Sequence, residues 1–251
     1  MNYRSPYERR LGTMRSVRRG ALLAALLVIA LWLDGPLYRL LAVTSEPTTR
    51  AVGESSADQD NPTGENTRLT PIERKARLES KDWYQMFRAA GYLPTWLLIG
   101  GAVLLVDRRA GRRASGGAAM MVGATGTGLA AEVLKPILGR HRPAFDGSLD
   151  WNPLFGGVFH PDPYYGHSLG LPSSHAAVAF GAAFVIARMY PGAGSVALLA
   201  ATGCAFTRLA AGAHVFSDVV VAALLAVLIS SIVTRLMAEP GSRDRRLMRF
   251  D

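Results

Sequence analysis

The sequence predicts an all-α protein, a six-helix transmembrane bundle, and three observations carry that expectation. Apolar runs close to the roughly 20 residues that cross a bilayer occur at 20–43, 89–106, 115–138, 173–190, 194–211 and 215–237. Arginines cluster at the flanks of alternate runs: Arg4, Arg9, Arg10, Arg15, Arg18 and Arg19 before the first, Arg108, Arg109, Arg112 and Arg113 after the second, and Arg243, Arg245, Arg246 and Arg249 in the tail. The 49% hydrophobic content would also suit a soluble domain, but charge is pushed into the segments between the runs.

Residues 1–19 form a basic segment, expected to be poorly ordered and cytoplasmic. The first run, 20–43, continues past Asp34-Gly35-Pro36 as LYRLLAV. That length fits a retained span bent at Pro36 better than a cleaved signal peptide. Residues 44–88 are nearly balanced in charge. Within them, 44–67 have almost no large apolar side chains and read as a linker. Thr70-Pro71-Ile72-Glu73 reads as a capping box with Pro at the first helical position. The helix it starts would lie in the membrane interface with Trp83, Met86, Phe87 and Ala90 on one side, and Trp83 and Tyr84 as headgroup anchors.

Residues 89–238 hold the remaining spans. The third run, GGAAMMVGATGTGLAAE, is rich in small residues that let helices approach closely, so it is expected at the centre of the bundle. Glu132 stands one turn before Lys135 and reads as its orienting partner. The proline- and aromatic-rich stretch 143–171 is expected to be an outer loop over the site. With 239–251 as a basic tail, the positive-inside rule puts both termini in the cytoplasm and 44–88 outside.

The net charge of +9 is therefore a topology signal. A nucleic-acid partner would need a basic groove on a soluble surface, and none is expected. The single cysteine, Cys204, lies in a run and reads as a packing residue.

Three linked stretches carry the chemistry. TRLAAGAHVFSD, 207–218, places Arg208, His214 and Asp218 between two apolar runs, where ionisable residues are functional candidates by default. His214 and Asp218 are spaced to meet on one helix face, leaving one imidazole nitrogen free as a nucleophile or base. KPILGRHRP carries Lys135, Arg142 and Pro143, and LPSSH carries Pro172, Ser173, Ser174 and His175. In order and spacing the three resemble the signature of the type 2 phosphatidic acid phosphatase superfamily, which also includes vanadium haloperoxidases and bacterial acid phosphatases. The departures are Ser174, where the family pattern has Gly, and Thr207, where it has Ser.

The resemblance implies a membrane lipid phosphatase with a haloperoxidase-like helical core. It makes His214 the nucleophile that forms a phosphohistidine, Asp218 its orienting partner and His175 the acid for the leaving oxygen. Lys135, Arg142, Ser173, Ser174 and Arg208 would hold the phosphate, with no metal and no cofactor. Physically, phosphoryl transfer needs cations and donors fixed around dispersed negative charge. Three side-chain cations and the open N–H groups at the start of the fourth span supply them.

His141, His160 and His167, even with Asp162, lack zinc-ligand spacing and read as loop residues. The substrate class implied is a phospholipid or isoprenoid phosphate: undecaprenyl diphosphate, phosphatidic acid, phosphatidylglycerol phosphate or a lipid A phosphate. The expected location is a bacterial inner (plasma) membrane with an extracytoplasmic site. Two alternatives are a phosphotransferase using the same histidine and a non-catalytic lipid-binding or transport protein.

Overall fold

A computed structural model describes residues 6–43, 70–110, 115–145, 147–152 and 168–237. Among them the protein is all-α, as the apolar periodicity requires. Its helices are α1 (Pro6–Leu41), α2 (Pro71–Glu79), α3 (Asp82–Ala89), α4 (Leu93–Arg109), α5 (Ser115–Leu138), α6 (Ser174–Met189), α7 (Pro191–Ala210) and α8 (Phe216–Met237). α1, α4, α5, α6, α7 and α8 fall on the six apolar runs. Four of them, in α1, α5, α7 and α8, are long and apolar enough to cross a bilayer alone. α4 reaches that length only with α3, across a 62° bend, and α6 is shorter.

α1 starts at Pro6 and continues through Pro36, so helix extends well into the basic segment expected to be poorly ordered. Its buried residues Ala30, Asp34, Tyr38 and Ala42 recur every four positions and form one stripe. Trp32 and Leu40, 77% exposed, project from the other side. The stripe packs on α8 and α7, and the Val43 N–H donates to the Ala210 carbonyl at 2.9 Å. The end of α1 is thereby tied to the end of α7.

The capping box is present: the Glu73 N–H donates to Thr70 Oγ1 at 3.2 Å and the Thr70 N–H donates to Glu73 Oε2 at 2.7 Å. Those Thr70 bonds hold the exposed Glu73 carboxyl below its ordinary pKa. The helix that follows is not continuous, because Lys81 takes an extended conformation and separates α2 from α3. The expected apolar side is also turned: Trp83 and Met86 are exposed, whereas Tyr84 is fully buried. Tyr84 is therefore a packing residue against the bundle rather than a headgroup anchor.

The centre of the bundle is α6, not α5. α6 packs against α5, α7 and α8, and it is buried without a break from Ala176 to Ala183. α5 presents its small residues to α6 on one side only, while Val122, Leu129 and Val133 on its other side are exposed. Contact is closest at Gly123 and Gly181, where a Cβ on Gly181 would stand 2.5 Å from the Gly123 carbonyl oxygen. A helix of 16 residues is about 24 Å long, short of a roughly 30 Å hydrocarbon core. Surrounded by longer helices, α6 has no lipid to match, and its N-terminus lies at the bottom of the site.

Candidate active site

α7 ends in a Schellman motif. Gly212, at φ 62°, donates its N–H to Leu209 at 2.9 Å, and the Ala213 N–H reaches the Arg208 carbonyl at 3.1 Å. That left-handed step suits glycine and turns the chain toward α8. His214 consequently lies in the turn rather than on a helix face shared with Asp218, because α8 begins at Phe216. The expected contact still forms: His214 Nδ1 is 3.1 Å from Asp218 Oδ2, which also accepts the Val215 N–H at 3.1 Å. A carboxylate at the third position of a helix reaching back to the N–H before it is one arm of a capping box. Since an ionised carboxylate only accepts, Nδ1 carries the proton and Nε2 keeps its lone pair.

Sequence reasoning missed two residues behind this pair. Gly139, at φ 64°, ends α5, and Arg140 follows it with no exposed surface. One Arg140 nitrogen donates to Asp218 Oδ1, and another lies 3.3 Å from Asp34 Oδ2. The Arg140 guanidinium also sits 5.1 Å from the Trp151 ring centroid. Asp34, on the buried stripe of α1, accepts the Ser217 N–H at 2.6 Å and the Ser217 hydroxyl at 2.5 Å. The signal for Asp34 was available: a carboxylate inside an apolar run is a functional candidate, but beside Gly35 and Pro36 it marks only the bend of a continuing span. Arg140 stands two residues before Arg142 and was passed over as spacing within the motif.

On the substrate side the groups are left open. Ser173 is the N-cap of α6, yet its hydroxyl makes no cap bond, is fully buried and has no hydrogen-bond partner. Its N–H donates to the Asp218 carbonyl at 3.2 Å, tying the start of α6 to α8. His175 Nε2 is likewise buried without a partner, its ring edge-on to Tyr92 at 5.4 Å. The α3–α4 turn closes against that ring, because a Cβ on Gly91 would stand 2.9 Å from His175 Cδ2. Arg208 is 6% exposed, its Nε has no partner, and among the described residues no carboxylate pairs with it.

Cations converge on the two histidines. His175 is in electrostatic reach of Arg208, Arg88 and Lys135, and His214 of Arg208 and Arg142. Arg88, which was not a sequence candidate, comes from α3 with its guanidinium 5.6 Å from the Tyr92 ring centroid. Lys135 Nζ donates to Glu132 Oε1 at 2.8 Å, the orienting contact expected of Glu132. The Ser174 hydroxyl donates to the same oxygen, so it is directed at Glu132. Arg142 is exposed, with its N–H on the Ser168 carbonyl at 2.8 Å. Lys135, Arg142, Ser173, Ser174, His175, Arg208, His214 and Asp218 all therefore gather at one end of the bundle.

His141, expected to be a plain loop residue, is buried and holds the loop base together. Its Nδ1 pairs with the Ser168 hydroxyl, and its backbone bridges Leu169. His160, His167 and Asp162 lie outside the described residues, as does most of the expected outer loop. Among the described residues no cluster of His, Cys, Asp and Glu is placed to hold a metal. Cys204 is buried, with its Sγ 3.9 Å from the His175 carbonyl oxygen, in keeping with a packing role.

An imidazole with a free nitrogen, a second imidazole nearby, an open hydroxyl and an arginine without a carboxylate suit a tetrahedral anion bound in line with a nucleophile. Searches of curated proteins and of solved structures find no match to the chain. A family model does match, that of the PAP2 superfamily, over residues 116–241, which spans half of the chain and all three motifs. The chain thus belongs to the PAP2 superfamily, whose phosphatase members support a phosphoester hydrolase in general.

Proposed function

We propose that the protein is a multi-pass membrane phosphatase that hydrolyses a lipid phosphate or diphosphate at the outer leaflet through a phosphohistidine on His214. The observation that carries this reading is the buried His214–Asp218 pair beside three unsatisfied groups, Ser173 Oγ, His175 Nε2 and Arg208 Nε. Buried polar groups without partners are uncommon in folded proteins, and here these three share one end of the bundle with His214, alongside Arg88 Nε and Arg140 Nε.

In the first step the His214 Nε2 lone pair attacks phosphorus and the bond to the lipid oxygen breaks. The His175 Nε2 proton passes to that leaving oxygen. Arg208, Lys135, Arg142 and Ser173 hold the equatorial oxygens, together with the open N–H groups at the start of α6. In the second step water attacks the phosphohistidine, His175 takes a water proton, and inorganic phosphate leaves with His214 restored. Asp218 holds the Nδ1 proton throughout. The apolar helices bring the substrate's hydrocarbon chain to the site laterally, which favours a lipid ester over a soluble one.

The test is phosphate release by purified protein from a panel of phosphatidic acid, phosphatidylglycerol phosphate and undecaprenyl diphosphate in detergent micelles. Release from at least one member supports the reading. No release from any, with phosphate appearing instead on an added lipid or sugar acceptor, replaces hydrolase with transferase.

A further inference from the structure

The match to the family begins at residue 116, so α1 lies outside it, yet α1 reaches the innermost part of the site. We infer that Asp34 is a positioning residue for the reaction and that α1 completes the site, with Asp34 setting the charge and orientation of Asp218 through Arg140 and Ser217. The inference rests on the proposed role of His214.

Four ionisable groups form one buried line: Asp34, Arg140, Asp218 and His214. Arg140 alone would neutralise Asp218, and a neutralised acceptor polarises an imidazole weakly. With Asp34 on its other side, one guanidinium is shared between two carboxylates, and the line keeps a net negative charge facing His214. The donors around Asp34 suit an ionised carboxylate, since a guanidinium, an N–H and an O–H all point at it.

Asp34 also fixes position. Its two bonds to Ser217 hold the first turn of α8, one residue before Asp218. On its C-terminal side, Tyr38 and Ala42 pack against Val215, the residue after His214, and Val43 bonds to Ala210 at the end of α7. The turn that carries His214 is thus clamped by α1 at three points. A span serving only as an anchor needs no buried carboxylate, which is costly in a bilayer.

The experiment uses the full chain in detergent micelles and compares Asp34→Asn, Arg140→Gln and the double variant. The probes are phosphatidic acid for turnover and orthovanadate, read by the shift in melting temperature, for occupation of the site without turnover. Asp34→Asn is expected to lower kcat about ten- to a hundredfold, the scale of a small misplacement of a catalytic group, with KM within about twofold. Arg140→Gln is expected to lose more, because it leaves two buried carboxylates without their cation. Adding Asp34→Asn to it should recover activity by about tenfold, since one of the two repelling charges is then gone. Because Asp34 and Arg140 touch, their effects couple whatever their role, so it is the fall in kcat at constant KM that separates positioning from a purely structural part.

Unchanged kcat in a folded Asp34→Asn, or losses that multiply in the double variant, would overturn the inference. If wild type releases no phosphate, the hydrolase reading fails, and vanadate still decides this one. Affinity about tenfold weaker in Asp34→Asn supports it, and equal affinity overturns it. Should Asp34→Asn not fold, Ser217→Ala keeps the charge and removes one bond to Asp34. A several-fold loss of kcat at constant KM is then expected, and no loss refutes the inference.

Discussion

Ser173 and Ser174 are adjacent, chemically identical and open the same helix, yet opposite outcomes are expected when each is cut to alanine. The Ser173 hydroxyl is fully buried and makes no cap bond to its own helix, so it does not hold the fold together. Ser173→Ala should therefore move the melting temperature by no more than about 2 °C, since a change that breaks no structural bond stays within about 0.5 kcal/mol. The same change deletes a donor aimed at the phosphate, and by the scale of lost oxyanion donors kcat/KM should fall about a hundredfold, or about 2.7 kcal/mol. The Ser174 hydroxyl is spent on Glu132, whose side chain is 57% exposed. Ser174→Ala therefore loses a bond between partly solvated groups, worth about 1 kcal/mol, and Ser174→Ala or Ser174→Gly should keep activity within about tenfold. Steady-state kinetics and a thermal melt on the three variants decide it. If Ser173→Ala melts lower and keeps its rate, its hydroxyl is a structural group. If Ser174→Ala falls as far as Ser173→Ala, the family's glycine is not what Ser174 replaces.

Further outcomes are expected from the same geometry. His214→Ala should lose at least about a thousandfold in kcat, and a labelled phosphohistidine should be trapped in wild type but not in the variant; wild-type rates in the variant would end the proposed mechanism. Activity should persist in a metal chelator and be inhibited by vanadate, because side-chain cations surround the phosphate; loss on chelation reversed by zinc or magnesium would revive a metal site. In intact cells an impermeant thiol reagent should label Asp150→Cys at the site end and spare Arg109→Cys, both exposed positions. The reverse pattern would invert the topology drawn from the arginine clusters.

The helical architecture was legible because apolar runs follow from the bilayer, which acts on sequence directly. Contacts within a motif were legible too: the Thr70–Glu73 capping box, the Glu132–Lys135 pair and the His214–Asp218 contact are all three or four residues apart. What escaped are relations between distant segments. Asp34 lies 183 residues from Ser217 and 106 from Arg140, and no local pattern announces either bond. The centre of the bundle was misassigned for a related reason. Glycine content marks α5 as able to approach a neighbour closely, but only three-dimensional packing shows that α6 is surrounded on all sides. Tyr84 and Trp83 were read alike as aromatic anchors, although adjacent residues on a helix point about 100° apart and only Trp83 faces outward.

One arrangement explains how motifs so far apart are held in register. α5 and α7 both stop at the site end with a glycine in the left-handed region, Gly139 and Gly212, and each glycine releases a chain whose next charged or nucleophilic group enters the site, Arg140 in one case and His214 in the other. α6 and α8 begin at the same end, where their free N–H groups need acceptors. α8 is satisfied from within the protein, by Asp218 on the Val215 N–H and Asp34 on the Ser217 N–H. α6 is left without a side-chain cap, because Ser173 does not turn its hydroxyl back onto its own helix. Of two neighbouring helix N-termini, then, one is closed by carboxylates beside the proposed nucleophile, while the other carries no side-chain cap and is the end proposed to receive the phosphate. An acidic residue at the open end tests the contrast: Ser173→Asp would place a carboxylate where the phosphate is proposed to bind, at an N-cap position that accepts Asp. It should raise KM for a phosphate ester by more than about tenfold, because like charges repel. A folded Ser173→Asp with an unchanged KM would show that the phosphate does not bind at the start of α6.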